Sequence, residues 1–167
     1  MTSQAHLEKL IHDADAIGVR LEIIGGLPIW ETSPLYRHQA KIDEIRASIK
    51  PIADSECRCH HIADTIFRFQ DGSLKRPDIA ILCRIPADHE MDSALTQVPE
   101  AVIEVVSEGY EDKDLRFAPN FYLAQGVKDV LIYDPRAKIV WHHRVDGVKP
   151  YSIPREFRLV CGCEVVI

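Results

Sequence analysis

The sequence predicts an α/β fold in which helices flank a mixed central β-sheet. Two short and almost wholly apolar runs, Ile79 to Leu82 and Ala101 to Val106, have the composition of central strands covered on both faces. Two longer segments, residues 36–49 and 113–125, carry apolar residues at helical spacing among polar ones. With 167 residues and 46% hydrophobic content, the chain is long enough for a full core. We therefore expect a single domain over residues 1–167.

The N-terminal part of the chain predicts a helix followed by a β-hairpin. Residues 3–17 place leucine, isoleucine and alanine on one helical face. Two strand-like runs, at residues 20–24 and 27–31, then flank Gly25-Gly26, a pair that favours a tight turn. Glu22 therefore lies inside the first strand of this hairpin.

The rest of the chain predicts strands, one long loop and a third helix. Residues 56–69 alternate and are rich in β-branched and aromatic side chains, a pattern typical of strand and loop. Residues 86–99 are polar and predict a surface loop. Pro119 lies beyond the first turn of the third helix and should kink or shorten it. Residues 129–133 and 138–144 predict a buried strand and its hairpin partner.

Charge and hydrophobic patterning narrow the classes of function. The net charge of −6 argues against a general nucleic-acid coat, because such binding depends on clustered lysine and arginine. No run approaches the length of a membrane span, and residues 1–6 lack the layout of a secretory signal. We therefore expect a cytoplasmic protein without a membrane partner. Four basic residues are nevertheless candidates for contact with a phosphate backbone, namely Lys75, Arg76, Lys113 and Arg116.

Two carboxylates interrupt the apolar strand segments. Asp78 precedes one apolar run, and Glu104 lies in the middle of the next. A buried carboxylate needs a metal ion, a cation or several hydrogen-bond donors, because an unpaired charge is unfavourable in apolar surroundings. Two carboxylates in neighbouring strands therefore indicate a metal site. The alternatives are that Asp78 caps a turn and that Glu104 forms a plain salt bridge to Arg76 or Lys113.

An ordered set of motifs over about residues 20–145 resembles a known family. The motifs are Leu21-Glu22-Ile-Ile-Gly25, Ser33-Pro34 followed by His38, Arg76-Pro77-Asp78, Glu104-Val-Val-Ser107, Asp114 with Tyr122 and Gly126-Val127, and Leu131-Ile-Tyr-Asp134-Pro135. Together they resemble the Uma2 family, also called DUF820, whose members belong to the PD-(D/E)XK nuclease-like superfamily.

The resemblance implies a restriction-endonuclease-like core and metal-dependent hydrolysis of DNA phosphodiester bonds. Asp78 and Glu104 would hold Mg²⁺ or Mn²⁺, since hard cations prefer oxygen ligands. Glu22 matches a family glutamate and is a candidate third ligand, although an ordinary exposed strand glutamate is an equal alternative. DNA is the expected substrate, with specificity supplied by the loop at 86–99 or by the second subunit of a homodimer.

The lysine of the superfamily motif is missing from both positions where it is expected. In the simplest form of the motif it stands two residues after the glutamate, where this chain has Val106. In Uma2-like proteins it lies about four residues after an aspartate that aligns with Asp114, where this chain has Ala118. Lys113 and Arg116 are the nearest cations. The chain is therefore either a weakened nuclease that uses one of them or a degenerate member acting as a binding or interaction module.

Three further residues are candidates for the rim of the site. His38 matches a family histidine at the start of the second helix, with a surface or capping histidine as the alternative. Ser107 either orients Glu104 or simply begins a loop. Tyr122 is expected to pack with its hydroxyl at the rim.

The cysteines suggest a different metal site. Cys57 and Cys59 form one Cys-x-Cys pair, and Cys161 and Cys163 form another. Four thiolates, or three with His61, suit tetrahedral zinc. The alternative is that these cysteines are small buried hydrophobes, with a disulfide not expected in the cytoplasm and Cys83 a plain core residue.

Overall fold

The computed structural model describes residues 3–31, 33–109, 111 and 113–167, with the side chain of Lys113 left out of the description. The described residues confirm an α/β fold with a mixed sheet and three α-helices, α1 Gln4–Ala16, α2 Tyr36–Ser48 and α3 Ala118–Ala124. The first nine strands are β1 Arg20–Ile24, β2 Leu27–Glu31, β3 Lys50–Pro51, β4 His60–Ile62, β5 Phe67–Arg68, β6 Leu74–Lys75, β7 Ile79–Leu82, β8 Ala101–Val105 and β9 Asp129–Asp134. The last four are β10 Ile139–Arg144, β11 Gly147–Ser152, β12 Glu156–Arg158 and β13 Cys163–Val166.

The chain divides into two compact units, each built from several segments. Residues 1–35, 65–76 and 86–97 form the first unit, and residues 36–64, 77–85 and 98–167 form the second. The expectation of a single domain over residues 1–167 stays a prediction.

The first unit contains helix α1 and a four-stranded antiparallel sheet. Its strand order is β2-β1-β6-β5, and the predicted β1–β2 hairpin is present with Gly25 and Gly26 at φ of +57° and +81°. Ser3 caps α1, because its hydroxyl oxygen accepts a hydrogen bond from the backbone N–H of His6. The buried face of the helix packs on β1 and β6 through Ile11, Ala14, Leu21, Ile23 and Leu74.

The second unit is organised around a six-stranded sheet of order β11-β10-β9-β8-β7-β4. The β8–β9 pair is parallel and the other pairs are antiparallel, so the sheet is mixed as expected. Strands β7 and β8 are buried along their whole length, in agreement with their apolar sequences. This pair carries the two predicted carboxylates.

The predicted third helix is two segments rather than one. Lys113–Phe117 forms a π-helical turn, and α3 begins only at Ala118. Pro119 thus lies in the first turn of α3, where its missing N–H would have had no helical partner. Pro119 therefore shortens the α-helix, as the sequence predicted. Among the described residues, no helix is both long and apolar enough to cross a membrane.

The C-terminal segment adds structure that the sequence did not indicate. Strand β11 extends the β9–β10 hairpin, and β12, β13 and β3 form a separate three-stranded sheet in the second unit. Two disulfides, Cys57–Cys83 and Cys59–Cys163, lie in this unit. The expectations of no disulfide and of a plain core Cys83 were therefore wrong. The segment 56–69 was expected to be strand and loop, and it consists of the short strands β4 and β5 with loop around them.

A buried aspartate at the start of β9 anchors the C-terminal strands. The Asp129 side chain is fully buried, and its oxygens accept hydrogen bonds from His142 Nε2 at 2.7 Å, Arg144 Nε at 2.6 Å and Val160 N at 2.7 Å. Burial opposes ionisation of Asp129, but these donors outweigh it and lower the pKa of the carboxyl below its ordinary value.

We expect Asp129 to make stability depend on pH in the acidic range. A carboxyl whose pKa is lower in the folded protein than its unfolded value of about 3.9 contributes stability above that value. The contribution is lost as the pH falls through the lowered folded pKa. The free energy of unfolding, measured by urea titration at a series of acidic pH values, should therefore fall less steeply with pH in Asp129→Asn than in the wild type. Asp146→Asn, at an exposed turn, should keep the wild-type slope; equal slopes in all three would contradict this.

Candidate functional site

The register of β7 and β8 brings the two predicted carboxylates together. Ile79 pairs with Ile103, so Asp78 lies opposite Glu104, next to the N-terminal end of β7 and near the C-terminal end of β8. The backbone N–H of Asp78 donates to Glu104 Oε2 at 3.0 Å, and the N–H of Val105 donates to Asp78 Oδ2 at 2.8 Å. The two side chains are thus held by each other's strands. Within the described residues, Asp78 Oδ1 has no hydrogen bond, and Asp78 is partly exposed.

His38, one of the candidates for the rim of the site, lies beside this acidic pair. Its Nε2 is 3.0 Å from the carbonyl oxygen of Val105 and 3.3 Å from Asp78 Oδ2. Because a carbonyl oxygen can only accept, Nε2 carries a proton in this arrangement. The Nε2–H of His38 therefore donates to the carbonyl oxygen of Val105 and lies beside Asp78 Oδ2, and this nitrogen is not available as a metal ligand.

Tyr122 contacts Glu104 directly and does not lie at the rim of the site. Its hydroxyl donates to Glu104 Oε1 at 2.7 Å, and the side chain is fully buried. Both oxygens of Glu104 are therefore oriented by hydrogen-bond donors. The contact between α3 and β8 is not visible in the sequence, which explains why Tyr122 was expected only to pack.

The remaining candidates are placed less centrally. The backbone N–H of Ser107 is 3.4 Å from Asp114 Oδ2, and its hydroxyl has no hydrogen bond among the described residues. Ser107 therefore stands at the start of a loop, and its hydroxyl does not hold Glu104. Arg116 is exposed on the π-helical turn. The side chain of Lys113 lies outside the described residues.

The two expected lysine positions differ in what they face. Val106 follows β8 and is buried. Ala118 is the first residue of α3 and is buried, four residues before Tyr122. Residues four apart lie on the same helix face. A long side chain at position 118 would therefore be directed toward the side of α3 from which Tyr122 reaches Glu104.

Glu22 has a full set of partners within the first unit. It is buried in β1 opposite Lys75 of β6, with Oε2 at 3.1 Å from Lys75 Nζ and Oε1 accepting from the N–H of Arg76 at 2.8 Å. Lys75 is buried as well, and Arg76 Nη1 lies 2.6 Å from Asp15. The idea that Lys75 could meet a phosphate backbone is therefore wrong. A ligand role for Glu22 stays a prediction.

The carboxylate oxygens of the acidic pair suit a hard divalent cation as ligands. Carboxylate oxygens are the ligands that Mg²⁺ prefers, and Mg²⁺ is commonly held by one or two carboxylates together with water and substrate phosphates. Among the described residues, groups of three metal-ligating side chains occur only at the cysteines. Asp78 and Glu104 therefore fit a cation of this kind that keeps other positions open for substrate.

The cysteines of the predicted zinc site lie together but are joined differently. The sulfurs of Cys57, Cys59 and Cys163 are mutually within 4.8 Å, and Cys161 lies within that distance of Cys57 and Cys83. Cys57 is bonded to Cys83, and Cys59 to Cys163. A sulfur in a disulfide is not a thiolate, so a zinc site requires these cysteines to be reduced. Cys161 is free, and burial raises the pKa of its thiol. His61 accepts a hydrogen bond from Arg46 at 3.3 Å.

The mixed sheet, its flanking helices and the acidic pair define a restriction-endonuclease-like protein. The family model described as Uma2, "Putative restriction endonuclease", matches residues 6–160, and the chain belongs to this family. A crystal structure described as a putative nuclease of DUF820 from Anabaena variabilis has a similar fold, with a TM-score of 0.61. The two are 19% identical over 81% of this chain and 78% of the other. A comparison with curated proteins gives no significant match.

We expect the Glu22–Lys75 pair to support the first unit strongly. Leaving either charge buried without its partner should lower the free energy of unfolding by about 3–5 kcal/mol. Lys75→Met and Glu22→Leu should each show this loss in urea unfolding. The double variant, which removes both charges, should lose less than the sum of the two single variants. Additive losses would show that the two side chains are not coupled.

Proposed function

We propose that this protein is a Mg²⁺-dependent nuclease that hydrolyses DNA phosphodiester bonds, with Asp78 and Glu104 as the metal ligands. The observation that supports this most is the reciprocal hold on the two carboxylates, in which each strand's backbone N–H binds the neighbouring strand's acid. Preorganised oxygen ligands at the ends of central strands suit a site that must bind a cation and a phosphate together. Membership of the Uma2 family supports the same reaction class.

Each residue of the site has a distinct task in this proposal. A bound divalent cation supplies Lewis-acid activation of the phosphate and of water. Asp78 and Glu104 bind the cation through their oxygens. Tyr122 fixes the orientation of Glu104, and His38 together with the N–H of Val105 fixes that of Asp78. These three are positioning groups, since their contacts are to the carboxylates and to the strand.

The proposed site has no lysine at the position that, in the family, would stabilise negative charge developing on the phosphate. The family lysine would come from position 118, where alanine stands. Lys113 and Arg116 are the cations nearest in the chain, and both belong to the π-helical turn before α3. Arginine does not deprotonate near neutral pH, so Arg116 would stabilise charge and not act as a general base. We therefore expect slow turnover.

A second candidate function is a nucleic-acid-binding or interaction module without catalysis. The observation that favours it is the combination of Val106 and Ala118 at the two lysine positions. In this case the carboxylates would still bind a cation, but phosphodiester cleavage would not follow. The two candidates predict the same metal binding and different product formation.

The proposal predicts metal-dependent nicking of supercoiled plasmid. Purified protein with Mg²⁺ or Mn²⁺ should convert plasmid to the open circle, and chelation of the metal should stop the reaction. Asp78→Asn and Glu104→Gln should lower the rate on the order of 10²-fold or more, because each removes a charged ligand of the cation. Asp146→Asn removes an exposed carboxylate elsewhere and should leave the rate unchanged.

Wild-type and variant proteins that are equally inactive, while isothermal titration still detects cation binding that needs Asp78, would favour the binding module. Equal activity in the wild type and Asp78→Asn would overturn the assignment of the site.

Restoring the family lysine should increase cleavage. In Ala118→Lys, the ammonium would lie on the same face of α3 as Tyr122 and on the side of Glu104. We expect a rate increase of about tenfold or more in the plasmid assay, because a positioned cation stabilises charge that develops on the phosphate. Asn120→Lys adds the same charge at an exposed position of α3 and should give no increase. An equal increase in both would indicate general attraction of DNA instead.

A further inference from the structure

All five cysteines of the chain lie in one region of the second unit, which we call the cysteine cluster (Cys57, Cys59, Cys83, Cys161 and Cys163). Four of them form the disulfides Cys57–Cys83 and Cys59–Cys163, and Cys161 is the free thiol. Thiol–disulfide exchange proceeds by attack of a thiolate on a disulfide sulfur. The cluster therefore contains both reactants of such an exchange.

The free thiol lies next to the first disulfide. The sulfurs of Cys57, Cys83 and Cys161 are all within 4.8 Å of one another. Cys161 and Cys83 are both partly exposed, whereas Cys57 is buried. Because the reacting atoms are already neighbours, attack within the chain has the high effective concentration of an intramolecular reaction.

The first disulfide in turn contacts the second. Cys57 Sγ is 3.6 Å from Cys163 Sγ, which is a contact distance, although the two sulfurs belong to different disulfides. Cys59 and Cys163 have exposed fractions of only 4% and 0%. A solute in water therefore has little access to the second disulfide, whereas the sulfur of Cys57 already touches it.

We propose that Cys161 begins a thiol–disulfide relay through the cysteine cluster. In the first step the Cys161 thiolate attacks Cys83 Sγ, the Cys83–Cys161 bond forms, and Cys57 leaves as a thiolate. In the second step Cys57 attacks Cys163 Sγ, the Cys57–Cys163 bond forms, and Cys59 leaves and takes up a proton. Cys161 loses one proton and Cys59 gains one, while the number of disulfides stays the same. The relay therefore consumes no oxidant or reductant.

The positions of the sulfurs determine the order of the two steps. Attack on Cys57 in the first step would release Cys83, which is not in the group of sulfurs formed by Cys57, Cys59 and Cys163. Only attack on Cys83 releases Cys57, the one cysteine that belongs to both groups of neighbouring sulfurs. Cys57 is therefore the residue that connects the two disulfides.

The relay changes which segments are joined and where the free thiol lies. Cys83, directly after β7, is bonded to the loop before β4, and the first step bonds it instead to the turn before β13. The second step moves the free thiol to the buried Cys59. A thiol that is partly exposed is thus replaced by one that reagents in water reach poorly. The relay does not rest on the proposed nuclease function, since Asp78 precedes β7 and Cys83 follows it.

The surroundings of Cys161 make the rate depend on pH. Burial raises the pKa of its thiol, and the negative charges of Asp129 and Glu100 act in the same direction, while backbone hydrogen bonds from Cys163 and from Cys161 itself oppose them without outweighing them. Lys128 is the cation nearby, and its ammonium is 2.6 Å from Glu100. Because only the thiolate attacks, the relay should become faster as the pH rises toward the raised pKa of Cys161.

Mapping of the thiol and the disulfides tests the relay. Wild-type protein is incubated without reductant at neutral to mildly alkaline pH, quenched with acid, denatured, labelled with a maleimide and digested with pepsin. Mass spectrometry should find peptides joined through Cys83–Cys161 and Cys57–Cys163, and label on Cys57 and Cys59 as well as on Cys161. Their rate of appearance should rise about tenfold per pH unit while the thiol remains mostly protonated. Label on Cys161 alone at every pH would overturn the proposal.

Two controls assign the new linkages to attack by Cys161 within one chain. Cys161→Ser should keep only Cys57–Cys83 and Cys59–Cys163 at every pH. Wild-type protein alkylated at Cys161 before the incubation should behave in the same way, and it replaces the variant if the variant does not fold. New linkages at the wild-type rate in either control would contradict the role of Cys161. The rate should also be independent of protein concentration, and a rate proportional to concentration would overturn the relay in favour of exchange between chains.

Discussion

The antiparallel register of β7 and β8 is the constraint on which the acidic site depends. Because Ile79 pairs with Ile103, the next pair toward the N-terminal end of β7 is Asp78 and Glu104. A slip of one residue would turn every side chain of one strand to the other face, since side chains alternate along a strand. Both faces of these strands are buried, so a slip would move each side chain into packing space shaped for a different one, which is unfavourable in a close-packed core. Core packing therefore determines the geometry of the carboxylates.

Local sequence signals were enough for the hairpin and the two apolar strands, but they could not supply long-range pairing. Gly25-Gly26 and the run around Glu104 carry their own turn and burial patterns. Strand β13 has four residues and pairs with β3, more than a hundred residues earlier, so no periodicity in the sequence reveals it. The same reason hides the bond between Tyr122 and Glu104, and the convergence of Cys83 with the two Cys-x-Cys segments.

The described residues around Asp78 and Glu104 include the groups that orient the two carboxylates, whereas neither expected lysine position carries a lysine. Tyr122 and Ala118 are one turn apart on α3, yet only the first makes contact with the acidic pair. Orienting hydrogen bonds also satisfy buried polar groups, so their loss lowers the stability of the fold as well as any activity. A charge-stabilising lysine on the same helix has no such second role, and its ammonium is unfavourable to bury without a partner. Alanine at position 118 is therefore compatible with a stable fold whatever the catalytic rate.

Strand β7 links two chemically different environments. Its N-terminal end lies at carboxylate oxygens, and its C-terminal end leads to Cys83 and the sulfurs around it. The disulfide between Cys83 and Cys57 joins the C-terminal end of β7 to the loop before β4. The Cys57–Cys83 disulfide thereby restrains β7 from the end opposite to the one that carries Asp78.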